Sequence, residues 1–530
     1  MNIEIEKKDL LKLVGKDLSD TEIEEVLFSL KCESTIKDND IVCEINPDRL
    51  DMVSVEGIAR AIRGYLGLPL KKYEIGDSKV TISGESSIRP FFLAAVIDGV
   101  EMKDELVKSL MQIQEKLHAT LGRNRAKVAI GVHDLDKIKG SIEYRDASAE
   151  ETKFVPLQDT REMSLNQILT DHPKGKDYAH LLSGDKYPVF FDKEGPISFP
   201  PIINSERTKV TDTTRNLFID ITGTDQKAVE QGLNILLCNI TERMGQIRTV
   251  RINREKHPKF EEKSKTIEKD EVNKIIGLEF DEVKIKECLD KMLYTTSVKG
   301  SKITVKIPVY RVDILHDVDI IEDVAIGYGY GNIKPIIPEL ATVGSLSEKE
   351  TFTRKVREVM IGEGFQEFLN FVLTNRDNNF YKMNTNGDCI EILNPVSSEF
   401  SILRTWLTPS LLKSLITNQH VEYPQKIFEI GDTLLADTTM VRRIAGAISH
   451  DNANLTEIKS VAESVLREIG IKYDIKSFNH PSFIDTRCGE IFTNNVSIGF
   501  FGEIHPMVLE AFKIEKPVIV FEINLEGLTE

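Results

Sequence analysis

Apolar residues recur along this chain at two spacings. Behind a Ser19-x-x-Glu22 capping box, Ile23, Val26, Leu27 and Leu30 stand at i, i+3, i+4 and i+7, which predicts an amphipathic helix. The extended stretch IVCEINP precedes a second predicted helix that starts near Leu50, carries Val55, Ile58, Ala59 and Ile62, and closes at Gly64. The polar run from Gly76 to Ser87 reads as a linker or hairpin.

From about residue 88 the pattern shortens. FFLAAVIDGV is a buried-strand run, a helix is expected over Leu106–Leu121, and KVAIGVHDL, PVFFD, ISFPPIIN and NLFIDITG are short strands bounded by Pro and Gly. Val229, Leu233, Leu236, Leu237 and Ile240 mark a long helix with Gly245 beyond its end. A compact segment follows, in which Val283, Cys288, Leu289 and Met292 share a helical face and Lys302–Ile307 alternates as a strand. The last segment opens with a helix through Phe352, Val356, Val359 and Met360. It then lays out FLNFVLT, CIEIL, KIFEIGDTLL, RIAGAIS, VSIGFFGEIHP and VIVFEINL as strands, with one further helix ended by Gly470. Successive strands without regular helical interruption predict an antiparallel α+β domain. The expected divisions are residues 1–80, 88–262, 266–340 and 345–530 of an α+β multidomain chain.

Composition adjusts this picture modestly. The 530 residues suggest about three to five domains. No apolar run approaches the roughly 18 residues of a membrane span, and MNIEIEKKDLL is no secretory leader. The six cysteines form no CxxC pair and have no His at zinc spacing, as expected of reduced thiols inside a cell, so the expected location is cytoplasmic. A net charge of −17 argues against a chain coated in nucleic acid and leaves room for a local basic surface. Arg248–Lys265, with seven bases and three acids, is the candidate, either as a phosphate-facing stripe or as a solvated strand and linker. Arg248, Arg251 and Arg254 are its candidate nucleic-acid phosphate contacts.

Three constellations could carry chemistry. Asp313, Asp319, Glu322 and Asp323 cluster at a helix expected to begin near Asp317, and Asp319, Glu322 and Asp323 are expected to share one exposed face at i, i+3, i+4. Their mutual repulsion calls for compensation, by the helix N-terminus or by a hard divalent cation. In the second, a strand delivers Asp220 and Thr222 to the same face, and Ser198, Asn204, Thr211 and Thr213 lie nearby in sequence. This suits a pocket for a hydroxylated, uncharged ligand, or else turn and cap chemistry. The third, NPVSSEFSILRTWLTPSLL with KIFEIGD, resembles a nucleotide-binding scaffold only loosely. The chain has no P-loop, no G-x-G-x-x-G after a strand and no Ser-His-Asp or Cys-His arrangement.

Six ordered blocks nevertheless resemble one family: INPDRLDMVSVEGIARAI, FPPIINS…TRNLFIDITGTD, IPVYRVDILHDVDIIEDVAIGYGYGNI, LNPVSSEFSILRTWLTPSLL, KIFEIGD and IGFFGEIHP. The chain is similar to the beta subunit of phenylalanyl-tRNA synthetase in its shorter archaeal and eukaryotic form. The resemblance implies an (αβ)2 heterotetramer that charges tRNA(Phe) with phenylalanine using ATP as substrate of the complex, with the activation site on the alpha subunit. It implies a mixed α/β editing domain, a small α+β metal-binding domain, and a class II synthetase-like antiparallel sheet domain without its ATP chemistry. FEIG echoes a class II core strand, and GEIHP stands where the arginine-bearing third motif is missing.

The resemblance also implies site residues. The family's magnesium pattern D-x5-D-x2-E-[ED] falls on Asp313, Asp319, Glu322 and Asp323, with Asp in place of Glu at the last position, and the Mg2+ is shared with the alpha subunit. Asp220 and Thr222 match the pocket that binds the hydroxyl of mischarged tyrosine, with Asn204 and Ser198 as weaker members. No protein nucleophile is implied. The length leaves no room for the bacterial form's extra tRNA-binding domains, so alpha is expected to supply more of the grip. Two alternatives stand beside this reading: a free-standing tRNA-editing or tRNA-binding protein, and a magnesium-dependent phosphohydrolase built on the acid cluster.

Overall fold

The structure is a computed structural model and describes residues 1–528. The chain divides into a unit spanning Met1–Ile336 and a second that begins at Ile337.

The first unit opens with β1 (Asn2–Glu6), α1 (Lys7–Val14), α2 (Asp20–Ser29), β2 (Glu33–Lys37), β3 (Asp40–Glu44) and α3 (Val55–Tyr65). The strands form an antiparallel sheet in the order β1-β3-β2. The Ser19–Glu22 capping box forms as its sequence predicts. The second helix starts later than Leu50: Leu50–Met52 make a single 3-10 turn, and Ser54 caps α3 by accepting from the Gly57 N–H. Gly64 lies within α3 rather than closing it. A Cβ there would sit 2.8 Å from Leu293 Cγ and 2.9 Å from the Lys291 carbonyl, so the glycine serves close packing.

Next come β4 (Thr81–Glu85), β5 (Phe91–Asp98), α4 (Asp104–Ala119), β6 (Val128–Asp134), β7 (Ile142–Ser148), β8 (Lys186–Asp192), β9 (Gly195–Phe199), β10 (Ile203–Asn204), β11 (Asn216–Gly223), α5 (Gln226–Arg243) and β12 (Gln246–Ile252). They supply nine strands of an eleven-stranded mixed sheet, along the path β10-β9-β8-β7-β4-β12-β5-β11-β6, and the short strands Ile75–Gly76 and Glu255–His257 pair with β12 off it. The polar run read as a linker or hairpin supplies β4, which pairs in parallel with β12 and β7 and buries Ile82. Helices α4 and α5 pack on the sheet through Ile113, Leu117, Ile219, Ile221, Leu233 and Leu237. The strand β6 ends the sheet path, which leaves its outward backbone groups to other partners.

The unit closes with β13 (Lys263–Glu268), α6 (Lys269–Ile276), α7 (Glu282–Lys291), β14 (Thr295–Lys299), β15 (Lys302–Ile307) and α8 (Asp317–Tyr328). This segment shares one hydrophobic core with the N-terminal one: Ile23, Leu27 and Ile58 belong to the same buried cluster as Ile285, Leu289 and Ile320. Arg243 of α5 ties the large sheet domain to α1 through Asp9 and to α3 through Glu56.

The second unit contains α9 (Glu348–Gly362), β16 (Gln366–Glu367), α10 (Thr408–Thr417), β17 (Gln425–Leu434), β18 (Met440–Ser449), α11 (Leu455–Glu468), β19 (Asp474–Ser477), β20 (Phe483–Thr493), β21 (Val496–Ile504) and β22 (Val518–Asn524). Its seven-stranded sheet runs β16-β17-β18-β22-β21-β20-β19, antiparallel except at the short β16–β17 edge. The run FLNFVLT gives a strand only at Leu373–Thr374, and CIEIL gives one bridge at Glu391. Several of their apolar side chains face outward instead of into a core; Leu369 is 90% exposed and Phe371 75%, whereas Phe368 packs against a buried cluster. Among the described residues no helix is long and apolar enough to cross a membrane.

Candidate functional site

A cavity of about 530 Å³ opens at the free side of β6, between α4, β9 and the turn that follows β9. Its wall includes Leu110, Ile130, Val132, Phe199 and Ile202, with Ser198, Asn204 and Asp220 as polar members. This volume suits one small organic group.

Asp220 is the most constrained of these. It is 1% exposed and lies in β11, directly across from Gly131 of β6. Its Oδ2 lies 2.9 Å from His133 Nε2, and His133 Nδ1 lies 2.8 Å from Thr208 Oγ1. A carboxylate only accepts, so the imidazole donates from Nε2, and neutral Nδ1 then accepts from the Thr208 hydroxyl. The longer contact of that hydroxyl, 3.4 Å to the Ser205 carbonyl, is the weaker one. The Oδ1 oxygen of Asp220 has no hydrogen-bond partner among the described residues and remains an acceptor at the cavity wall.

Asn204 and Ser198 join the same wall. Ser198 donates to Asn204 Oδ1 at 3.2 Å, and Asn204 Nδ2 donates to the outward carbonyl of Val132 at 3.2 Å. Thr222 does not line the cavity. It is fully buried and held by Arg89, which donates to its hydroxyl at 3.2 Å and to its carbonyl at 2.9 Å. The two-residue strand period put Asp220 and Thr222 on one face as expected, but the cavity ends before Thr222.

Several wall residues escaped sequence reasoning. His118 of α4 is buried, and its Nε2 accepts the Ile130 N–H at 2.8 Å. Burial first, then the charges of Arg125, Arg89 and Lys174, push its pKa down to about 3, so the ring is neutral. Gln114, one helical turn earlier, donates to the Ile130 carbonyl at 2.7 Å. Arg125 arrives on a loop whose residues Arg123, Asn124 and Arg125 all have left-handed φ. Its Nη1 donates to the Pro201 and Ile202 carbonyls at 3.1 and 2.9 Å, and its guanidinium lies over the Tyr178 ring. The sequence signal for Gly131 and His133 was the alternation in GVHD, which gains meaning only once the register with Asp220 is known.

The acid cluster is arranged differently from its expected single donor set. Asp313 and Asp323 both accept from Arg311 Nη2 at 2.7 Å, and Asp323 also accepts from the Tyr294 hydroxyl at 2.6 Å. Asp323 is buried, against the expectation of an exposed face shared with Asp319 and Glu322. Asp319 Oδ2 accepts from the Leu315 and His316 backbone N–H groups, in the first turn of α8. Glu322 is exposed and pairs with Lys31 at 3.0 Å. Among the described residues no three His, Cys, Asp or Glu side chains are grouped to hold a metal ion. The four acids thus do not fit as a magnesium cage within this chain, because guanidinium, ammonium and backbone N–H groups already compensate them.

The basic stripe splits as well. Arg248 is paired with Asp98 at 2.8 Å, whereas Arg251 and Arg254 are exposed without a side-chain partner among the described residues. In the second unit, charged groups at the centre of the sheet satisfy one another. Arg404 and Glu429 pair at 2.6 Å, and buried Glu522 caps α10 by accepting from the Leu407 and Thr408 N–H groups and the Thr408 hydroxyl.

Comparison with known proteins gives these features a class. A B3/4 domain matches residues 91–243, a tRNA synthetase B5 domain residues 265–330, and a phenylalanyl tRNA synthetase beta chain CLM domain residues 333–525. The chain is therefore a subunit of an aminoacyl-tRNA synthetase. It is 41% identical to the phenylalanine--tRNA ligase beta subunit of Methanococcus maripaludis strain C7, over 99% of this chain and 100% of that one. It is 42% identical to that of Archaeoglobus fulgidus, over 98% and 97%, and 41% identical to that of Methanocaldococcus jannaschii, over 99% and 100%. An N-terminal fragment of the Pyrococcus horikoshii phenylalanyl-tRNA synthetase beta subunit superposes with a TM-score of 0.59 at 37% identity, covering 62% of this chain and 99% of that one. The chain belongs to the phenylalanine--tRNA ligase beta-subunit family.

Proposed function

We propose that the β6 cavity hydrolyses tyrosine mischarged onto tRNA(Phe), while ATP-dependent activation of phenylalanine takes place on a partner alpha subunit in an (αβ)2 assembly. The observation that carries this reading is the buried Asp220 carboxylate, held by His133 on one oxygen and open to the cavity on the other. A tyrosine phenol donates to that free oxygen and phenylalanine has nothing to offer it. A site built to bond a hydroxyl discriminates far better than an apolar pocket sized for a ring. In the reaction a water oxygen bonds to the ester carbonyl carbon and the ester C–O bond to the terminal ribose breaks. The water's protons end on the ribose oxygen and in solvent, leaving free tyrosine and uncharged tRNA. His133 holds Asp220, Asn204 and Ser198 shape the wall, and no protein nucleophile is invoked. Exposed Arg251 and Arg254 are the proposed contacts to tRNA phosphate.

The division of labour with alpha has its own support. At the centre of the second unit's sheet Arg404 is paired with Glu429 and Arg443 with Glu522, so these two arginines are engaged within the chain rather than set to grip a triphosphate. Leu369, Phe371 and Leu373 are exposed at every second residue, and Leu393 and Val396 are exposed too, which suits burial against another subunit. Magnesium enters with ATP on alpha, and no step here passes through the acid cluster. The cytoplasm is the proposed location.

The test is deacylation of tyrosyl-tRNA(Phe) by the reconstituted complex. Asp220→Ala should slow it roughly ten- to hundredfold, the value of a hydrogen bond to a charged group, with phenylalanylation intact. Unchanged deacylation would sink the assignment.

A further inference from the structure

Strand β6 ends the sheet path, and the outward N–H and C=O of Ile130 are taken by side chains of α4 rather than by another strand. His118 spends one ring nitrogen on this. Because Nε2 accepts the Ile130 N–H at 2.8 Å, that nitrogen carries no proton, and the ring's proton resides on Nδ1. Nδ1 has no hydrogen-bond partner among the described residues, although the side chain is more than nine-tenths buried and lines the cavity that holds Asp220. Nδ1 is not itself among the solvent-inaccessible polar atoms that lack a partner, so it is open to the cavity rather than sealed off. Here it faces the space where a ligand sits. The ring is kept neutral, so it offers a fixed hydrogen-bond donor rather than a proton source.

We infer that His118 Nδ1–H is the donor that receives the carbonyl oxygen of the scissile ester, acting as an electrophilic contact in the hydrolysis. The inference rests on the editing reading of the cavity. Water adds to the carbonyl carbon, the carbonyl electron pair moves onto oxygen, and that developing charge is met by the imidazole N–H. Collapse of the adduct then expels the ribose oxygen, which takes a proton originating from the water. His118 neither gains nor loses a proton. Preorganised donors of this kind act mainly on the transition state, so their removal lowers kcat more than it raises KM.

The experiment measures tyrosyl-tRNA(Phe) deacylation by the reconstituted complex with wild type, Asp220→Ala, His118→Gln and His118→Leu, and phenylalanylation as the check on folding. His118→Leu is expected to lower deacylation kcat roughly hundredfold, with KM within about twofold. His118→Gln, whose carboxamide both accepts from Ile130 and donates into the cavity, is expected to recover at least a tenth of the wild-type rate. A crystal structure of the complex with an amide-linked tyrosyl-adenosine analogue should place its carbonyl oxygen within hydrogen-bond distance of Nδ1, and this reading needs no variant to fold. Deacylation by His118→Leu within threefold of wild type, or a carbonyl turned away from Nδ1, overturns the inference. A wild-type complex that fails to deacylate at all overturns the editing reading instead. Loss in Asp220→Ala without loss in His118→Leu overturns only the role of His118.

Discussion

Gly131 faces Asp220 across paired antiparallel strands, and a Cβ on Gly131 would collide with the Asp220 carboxylate, lying 2.8 Å from its Cγ. The absence of a side chain at residue 131 is what lets the carboxylate lie against β6 and reach His133. Gly131→Ala should therefore displace Asp220 without breaking the ladder. Deacylation of tyrosyl-tRNA(Phe) should fall roughly tenfold or more, toward the Asp220→Ala level, while phenylalanylation by the complex holds. A rate equal to wild type would show that the carboxylate's seat does not matter.

The Asp220 carboxylate sets the proton of His133 on Nε2, and the Thr208 hydroxyl donates to the Nδ1 left free. Thr208→Val keeps the shape and removes the donor, leaving a buried acceptor unpaired at a cost of about 1–3 kcal/mol. Thr208→Ser should restore both stability and deacylation. Denaturant unfolding of the three proteins, read beside their deacylation rates, checks this. A fully stable, fully active Thr208→Val would contradict the arrangement.

Acid should destabilise the fold partly through His118. Its pKa lies at about 3 when folded, below the ordinary histidine value of 6.5. Between those values the unfolded chain binds a proton that the folded chain refuses. Stability therefore rises with pH through this window and is lost as pH falls below about 6.5. Melting temperatures from pH 6.5 to 5.5 sample its upper part, about a unit above the ordinary glutamate value of 4.5. His257 and His480 are also lowered by burial and contribute in the same direction. The slope for His118→Gln should consequently be shallower than wild type without being flat, and equal slopes would remove His118 from the account.

Arg311 is the counter-charge of Asp313 and Asp323. Its replacement by Met leaves two largely buried carboxylates facing each other, with an expected destabilisation of about 3–5 kcal/mol. Chelation of divalent cations should leave the melting temperature of the wild-type chain unchanged. A clear drop with EDTA that magnesium reverses would place a metal in this cluster after all.

Much of this architecture was legible in the chain. The capping box at Ser19, the long helix through Leu233 and the strand delivering Asp220 all follow from spacing, because burial on one face leaves a regular mark. The start of α8 at Asp317 was legible for the same reason. What failed depended on neighbours distant in sequence. Thr222 was placed with Asp220 by strand alternation, yet Arg89, 133 positions away, claims it. Asp323 was placed on an exposed face by helical spacing, yet Tyr294 and Arg311 bury it. His118 carries no local signal and His133 only the alternation in GVHD, since a histidine becomes a donor of defined direction only when its second nitrogen is occupied.

The core shared by Ile23, Leu27 and Ile58 with Ile285, Leu289 and Ile320 has a consequence for synthesis. The early residues leave the ribosome well before the late ones exist, since about 200 residues of intervening chain separate Ile62 from Ile267. At about 5–20 residues per second, that gap lasts roughly 10–40 s. During it the apolar faces of α2 and α3 lack part of their final cover, while the large sheet domain is already being completed. The segment carrying α2 and α3 is thus made before the large sheet domain and finished after it, and a nascent chain stalled near residue 250 leaves those apolar faces partly uncovered.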